Sequence, residues 1–122
     1  MNEQKPLALI IEDEPEAGEI FLAALNTAGY IPELVTDGTE AVDWLSTKIP
    51  QLIVLDLHLP GLSGTEVLAY IQRDGRLTET AVFVTSADTH MSDTLRHEVD
   101  AVLDKPVGFR HLRDAALKIK AT

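Results

Sequence analysis

Residues 52–61 read LIVLDLHLPG, in which four apolar residues run directly into a single aspartate, Asp56. A continuous apolar run of this length is typical of a parallel strand that helices cover on both faces. The dipeptide Pro60-Gly61 then turns the chain away. Asp56 is therefore predicted to lie at the carboxyl end of a buried strand, where open α/β sheets bind their ligands. From this stretch alone, Asp56 could either end the strand or form the centre of a site.

The composition narrows the class of protein. The chain has 122 residues, of which 45% are hydrophobic and 25% charged, and it contains no cysteine. We therefore expect a single globular domain over residues 1–122, without disulfides. The formal net charge of −10 disfavours nucleic acid and anionic membranes as direct partners, because the chain would repel their phosphates. Residues 1–6 lack the apolar core of a signal peptide, and no apolar run approaches the roughly 20 residues of a membrane span, which predicts a cytoplasmic domain.

Short apolar runs alternate with segments whose apolar residues recur every three or four positions, which predicts five strands and five helices. Asp37 with Glu40, and Ser63 with Glu66, form capping-box patterns at the starts of the second and third helices. This alternation predicts a parallel sheet with right-handed crossovers and helices on both faces. The predicted strands are 7–11, 31–35, 52–55, 81–84 and 101–103, and the fourth helix is predicted over about 91–98.

The carboxyl ends of parallel strands share one edge of the sheet, and in this chain the polar residues fall there. Carboxylates crowded at one place need a cation to remain ionised, and hard oxygen ligands suit Mg²⁺. A nucleophilic carboxylate with a metal ion, a hydroxyl donor and a lysine is the combination that phosphoryl transfer requires. The residues at these predicted strand ends are Glu12, Asp13, Asp56, Thr85, Ser86 and Lys105.

Each of these residues also has an ordinary structural explanation. Asp13 or Glu14 could simply cap the following helix, and Ser86 could be a turn hydroxyl. Lys105 could be a solvated lysine before a turn proline. The functional interpretation depends on the whole set meeting at one edge.

The chain resembles the receiver domains of two-component response regulators over nearly its whole length. Four motifs support the resemblance: IIEDE at residues 10–14, LDLHLPGLSG at 55–64, VTSA at 84–87 and the dipeptide Lys105-Pro106. The resemblance implies a flavodoxin-like (βα)5 fold with strand order 2-1-3-4-5. It also implies that Asp56 accepts a phosphoryl group from the phosphohistidine of a histidine kinase or phosphotransfer protein.

The same resemblance assigns the metal site. Asp13 would bind Mg²⁺ directly, and Glu12 would act through water. Asp56 and the backbone carbonyl of His58 would complete the set of ligands.

Two further residues would hold the phosphate, again by resemblance. Ser86, thirty positions after Asp56, takes this role rather than Thr85, together with Lys105. The bond between Lys105 and Pro106 is expected to be cis.

The resemblance also bears on output. The domain would hasten its own dephosphorylation without acting on outside substrates, and would signal to an unidentified effector as a monomer or a phosphorylation-dependent dimer. Two positions depart from the usual pattern: Val102 replaces an aromatic residue, and residues 98–100 replace a small-residue turn. We therefore expect a small conformational response over residues 88–105.

Three other functions remain open on the sequence. The first is a binding module of the same fold that works without phosphorylation, which the absence of an aromatic residue at Val102 favours. A phosphatase with an aspartyl nucleophile would need a second carboxylate two residues after Asp56, where His58 stands. A flavin- or nucleotide-binding domain would need a glycine-rich loop after the first strand, where residues 12–14 are acidic. The four histidines show no ligand spacing and are expected at the surface, although His58 could affect hydrolysis.

Overall fold

The computed structural model describes residues 5–121. Two expectations concern residues outside this range in part. The single domain was expected over residues 1–122, and the absence of a signal peptide over residues 1–6, so residues 1–4 and 122 lie outside the described residues. Among the described helices, none has the length and apolar character to cross a membrane.

The five predicted strands form one parallel sheet in the order β2-β1-β3-β4-β5, which confirms the flavodoxin-like fold. The apolar runs determine the middle of the sheet, because β1, β3 and β4 carry the most continuously buried residues. The second strand lies at one edge, as its proline and glutamate indicated. The strands are β1 (Leu7–Ile11), β2 (Ile31–Val35), β3 (Leu52–Asp56), β4 (Ala81–Ser86) and β5 (Ala101–Asp104).

Five α-helices connect and follow the strands, and a short 3-10 helix, Gly75–Leu77, was not predicted. Ser63 and Glu66 form the predicted capping box. Asp37 accepts a hydrogen bond from the amide of Glu40, as expected, but Glu40 bonds back to Thr36 instead of Asp37. The helices are α1 (Pro15–Thr27), α2 (Gly38–Leu45), α3 (Gly64–Arg73), α4 (Thr89–Leu95) and α5 (Phe109–Ala121).

The prediction of a fourth helix over 91–98 was wrong at both ends. The helix begins at Thr89 because the side chain of Asp88 accepts hydrogen bonds from the amides of His90 and Met91. It ends at Leu95, its last buried residue, and Arg96 follows as the C-cap.

The core has two halves, one on each face of the sheet. Successive residues along a strand point to opposite faces of the sheet. Val54 and Phe83 belong to the half under α1 and α5, whereas Leu55 and Val84 belong to the half under α2, α3 and α4. Asp56 therefore follows the face of Val54, toward α1 and α5.

Gly64, the first residue of α3, allows this helix to begin directly against the loop after β3. Its amide donates a hydrogen bond to the carbonyl oxygen of Leu57 at 3.2 Å. A Cβ atom at position 64 would lie 2.5 Å from the carbonyl oxygen of Asp56 and still closer to the backbone of Leu57. The clash would be with backbone, which cannot move aside as a flexible side chain can.

We expect Gly64→Ala to lower the free energy of unfolding by about 2 kcal/mol or more, because the added methyl group overpacks the backbone beside Asp56. Gly75→Ala is the matched control, since a Cβ atom there meets nothing within 4 Å, and it should change stability by less than about 1 kcal/mol. Urea unfolding followed by the fluorescence of the single tryptophan, Trp44, measures both. Equal midpoints for the two variants would contradict this account of Gly64.

Candidate functional site

Asp56 lies in a row of buried polar residues that crosses the sheet. Leu55 pairs in register with Ile11, so the following residues, Asp56 and Glu12, are neighbours. On its other side, Asp56 pairs with Thr85. Glu12 and Asp56 are each only 1% exposed. The register of three parallel strands therefore places two carboxylates and a hydroxyl in one row.

Lys105 supplies the positive charge at this row. Its Nζ atom lies 3.2 Å from Oδ2 of Asp56 and 3.4 Å from Oε1 of Glu12. The amide of Lys105 donates to the carbonyl oxygen of Ser86 at 2.9 Å, which fixes the backbone after β5. The peptide bond from Lys105 to Pro106 is cis, as expected.

Burial and the neighbouring charges have the net effect of raising the pKa of both Glu12 and Lys105, the two groups beside Asp56. Burial lowers the pKa of Lys105, but the charges of Asp56 and Glu12 outweigh burial and raise that pKa above its ordinary value. Burial raises the pKa of Glu12, and the charge of Asp56 adds to this effect. The amide of Glu14, which donates to Oε2 of Glu12 at 3.0 Å, and the charge of Lys105 act in the opposite direction. The site therefore stabilises additional positive charge.

The loop after β3 holds the other oxygen of Asp56. Oδ1 accepts a hydrogen bond from the amide of His58 at 2.9 Å. The side chain of His58 is exposed, as are those of the other three histidines. Asp56 is thus fixed by the loop through one oxygen and by Lys105 through the other.

Glu12, Asp13 and Asp56 form a candidate cation site. One carboxylate oxygen from each of the three lies within 4.8 Å of the others. Oε1 of Glu12 is buried and, within the described residues, accepts no hydrogen bond. Its contact with Lys105 is an ion pair at 3.4 Å. A buried oxygen without a hydrogen bond and an excess of carboxylates over ammonium groups fit a small divalent cation such as Mg²⁺.

The hydroxyl of Ser86 is engaged by Asp88, and the described residues show no hydrogen bond between this hydroxyl and Asp56. The amide of Asp88 donates to Oγ of Ser86 at 2.9 Å, and the Ser86 hydroxyl lies 3.4 Å from the carbonyl oxygen of Asp88. Of the predicted site residues, Glu12, Asp13, Asp56 and Lys105 therefore meet, while Ser86 lies beside them with its hydroxyl bonded elsewhere.

Two residues at or beside the site differ from the expectation: Thr85 was expected at this edge but set aside in favour of Ser86, and Asp88 was given no role. Thr85 shares the row of Asp56, and its buried Oγ1 has no hydrogen-bond partner within the described residues. Phe83 and Thr85 are two residues apart in β4 and therefore point to the same face of the sheet, which could have indicated the position of Thr85. Asp88 holds Ser86 and caps α4, and its position three residues before Met91 carries the signal of an N-cap.

An open groove of about 450 Å³ lies beside Lys105, between α1 and the segment after β5. Ile20 is 40% exposed there and belongs to the small set of large apolar residues on the surface of the described chain. The groove is mostly apolar, and Glu14 and Glu16 also line it on the side of α1. Its apolar lining includes Ala17, Ile20, Phe21, Ala87, Pro106 and Val107.

Comparison with known proteins gives one consistent family. The family model described as "Response regulator receiver domain" matches residues 8–117. The probable methanogenesis regulatory protein FilR2 of Methanothrix harundinacea is 30% identical over 125 residues, which covers 93% of this chain and 81% of that protein. The transcriptional regulatory protein BaeR of Escherichia coli O6:H1 is 37% identical over 73 residues, covering 60% of this chain.

Solved structures agree with the sequence relatives. A CheY-like response regulator receiver domain from Methylobacillus flagellatus superposes with a TM-score of 0.83 at 25% identity, covering 95% of this chain and 99% of that one.

The sequence match to BaeR covers only 30% of the length of BaeR. The similarity to BaeR therefore concerns one part of a longer protein.

We expect Lys105→Met to lower the free energy of unfolding in EDTA by about 2 kcal/mol, because it leaves two buried carboxylates without their cation. Lys105 is itself partly exposed, which keeps this cost below that of a fully buried pair. Excess Mg²⁺ should restore part of the loss, since it can replace the missing charge.

Lys118→Met, on the exposed face of α5, is the control and should unfold as the unmodified protein does, both in EDTA and in Mg²⁺. Urea unfolding with EDTA and with Mg²⁺ compares the variants. A Lys105→Met protein as stable as the control in EDTA would show that the ion pair does not compensate the buried carboxylates.

Proposed function

The chain belongs to the response regulator receiver domain family, and on this basis we propose that Asp56 accepts a phosphoryl group from the phosphohistidine of a histidine kinase or phosphotransfer protein. The observation that carries the proposal is the contact of 3.2 Å between Oδ2 of Asp56 and Nζ of Lys105 at the end of β3. It holds a carboxylate beside a cation at the edge where α/β sheets bind ligands.

In the transfer step, a carboxylate oxygen of Asp56 attacks phosphorus in line with the bond to the donor histidine. The bond between phosphorus and nitrogen breaks, and the imidazole keeps the electron pair and takes up a proton. The product is an acyl phosphate on Asp56. Positioning and charge stabilisation supply most of the catalysis in such reactions.

Lys105 would change partners during this reaction. Asp56 is 1% exposed, and its Oδ2 atom is paired with Nζ of Lys105. As the new bond forms, the ammonium of Lys105 would move from Asp56 and Glu12 to the oxygens of the phosphoryl group. Ser86 would donate its hydroxyl to the same phosphoryl group.

The acidic cluster would hold Mg²⁺ through Asp13, Asp56 and the backbone carbonyl of His58, with Glu12 acting through water. When bound, Mg²⁺ supplies neutralisation of the negative charge on the transferring oxygens. The donor set supports this assignment, because three carboxylates converge there and one of them has a buried oxygen without a hydrogen bond.

The groove beside Lys105 supports a protein as the phosphodonor. An apolar surface next to a buried acceptor allows a partner to dock while its histidine reaches the carboxylate.

We further propose that this domain, over residues 1–122, acts in the cytoplasm and signals to an effector as a monomer or as a phosphorylation-dependent dimer.

A binding module that works without phosphorylation is the second candidate. Two observations favour it. Val102 stands where the family usually has an aromatic residue, and the hydroxyl of Ser86 is held by Asp88 and is not free to reach a phosphoryl group. A phosphatase for outside substrates is not supported, since His58 stands where the second carboxylate would be needed.

We expect acetyl phosphate with Mg²⁺ to add one phosphoryl group, measured by intact mass. Asp56→Asn, or removal of Mg²⁺, should abolish the adduct. Asp104→Asn, at the exposed end of β5, is the control and should still react. A folded, Mg²⁺-binding protein that forms no adduct would favour the phosphorylation-independent module.

A further inference from the structure

We propose that Thr85 positions Lys105 on the phosphoryl group: when Lys105 leaves Glu12, the hydroxyl of Thr85 accepts a hydrogen bond from its Nζ atom. The inference rests on the proposed function of Asp56, which it extends to a residue outside that mechanism. Thr85 acts as a positioning residue, because it holds Lys105 and does not itself contact the reacting atoms.

The hydroxyl of Thr85 is buried and unpaired. Thr85 is 0% exposed, and its Oγ1 atom has no hydrogen-bond partner among the described residues. Most buried side-chain oxygens in folded proteins have a partner, because burying a hydroxyl without one is unfavourable. Within the described chain, Oε1 of Glu12 is the other buried side-chain oxygen of this kind. The two unpaired oxygens belong to the residues on either side of Asp56 in its row.

The topology of the sheet takes the side chain of Lys105 across the strand that carries Thr85. Lys105 follows β5, whereas Asp56 ends β3 and Glu12 follows β1. Strand β4 lies between β5 and β3, so the side chain of Lys105 crosses the end of β4 before Nζ reaches the two carboxylates. Thr85 is the last residue but one of β4.

The side chain of Thr85 lies on the face of the sheet where this crossing takes place. Residues two positions apart in a strand point to the same face. Thr85 follows Phe83 by two residues, and Asp56 follows Val54 by two residues. Phe83 and Val54 both belong to the core half under α1 and α5. The carboxylate and the unpaired hydroxyl therefore share one face, and the ammonium of Lys105 contacts that carboxylate.

Withdrawal of Lys105 from Glu12 brings its ammonium toward Thr85. Glu12 follows β1, on the side of β3 away from β4, so an ammonium that leaves Glu12 for a phosphoryl group on Asp56 moves back in the direction of β4. An ammonium group has three protons to donate. Two can bond to oxygens of the phosphoryl group, and the third to Oγ1 of Thr85. The hydroxyl that is unfavourable in the empty site thus becomes favourable in the phosphorylated one.

The first test compares affinities for beryllofluoride, a mimic of the phosphoryl group, in the presence of Mg²⁺. Thr85→Val keeps the shape of the side chain and should bind the mimic about tenfold more weakly, because it loses a hydrogen bond to a charged group. Thr85→Ser retains the hydroxyl and should bind as the unmodified protein does. Titration followed by ¹⁹F NMR measures the affinities. Equal affinity in Thr85→Val and Thr85→Ser would overturn the inference.

The second test uses urea unfolding in EDTA to separate this role from a structural one. Because the hydroxyl of Thr85 is unpaired in the empty site, Thr85→Val should unfold at the same urea midpoint as the unmodified protein or at a higher one. A lower midpoint would show that the hydroxyl is already paired in the empty site, and the inference would then be wrong.

Thr80→Val is the matched control for both tests. Thr80 is also buried, and its hydroxyl donates to the carbonyl oxygen of Pro50 at 2.7 Å, before the other end of β4. Loss of this paired hydroxyl should lower the urea midpoint and leave the affinity for the mimic unchanged. Loss of affinity in Thr80→Val equal to that in Thr85→Val would overturn the specific role of Thr85.

The third test observes Lys105 directly. At saturation with the mimic, the Nζ protons of Lys105 should exchange with water at least about threefold faster in Thr85→Val than in Thr85→Ser, because one of their acceptors is missing. NMR of the ammonium group measures this rate. Equal rates would contradict a contact between Lys105 and Thr85.

The outcomes separate this inference from the proposed function. Failure of the unmodified protein to bind the mimic or to react with acetyl phosphate would overturn the proposed function, and this inference with it. Normal reaction of the unmodified protein, with unchanged affinity in Thr85→Val, would leave Asp56 as the acceptor and overturn only the role of Thr85.

Discussion

The ion pair between Lys105 and the buried carboxylates of Asp56 and Glu12 is the constraint on which the rest of the site depends. Two carboxylates in one row of a sheet are unfavourable unless a cation lies beside them. Lys105 supplies that cation at 3.2 and 3.4 Å, and the approach of Asp13 leaves negative charge in excess. The same excess of negative charge that makes the edge costly to bury fits a divalent cation, which in the proposed reaction would offset the charge of the phosphoryl group. Stability and function are thus opposed at this edge.

The fold resolves this opposition by its geometry. Three central strands with fully apolar faces carry the polar residues only at their carboxyl ends, so the core and the site do not compete for the same positions. Gly64 brings α3 against the loop that holds Asp56, and the loop returns the amide of His58 to Oδ1. The proposed movements of the Lys105 and Ser86 side chains would therefore take place at this edge, outside the apolar core of the sheet.

The sequence was sufficient for the sheet and for most of the site. Continuous apolar runs determine buried parallel strands, and the register follows once the strands are in order, so the meeting of Glu12, Asp56 and Lys105 could be predicted. Helix α4 could not be placed correctly, because its apolar face is thin and its start depends on a cap at Asp88. Whether the hydroxyl of Ser86 faces the carboxylate or the loop depends on its side-chain rotamer, which no pattern of residue types determines.

The most direct measurement is a crystal structure of the chain with Mg²⁺ and beryllofluoride. Our account predicts the mimic on the carboxylate of Asp56, with Nζ of Lys105 withdrawn from Glu12 to a fluorine atom and Oγ of Ser86 released from Asp88 to another. A structure in which Lys105 still bridges Asp56 and Glu12, with the mimic elsewhere or absent, would contradict it.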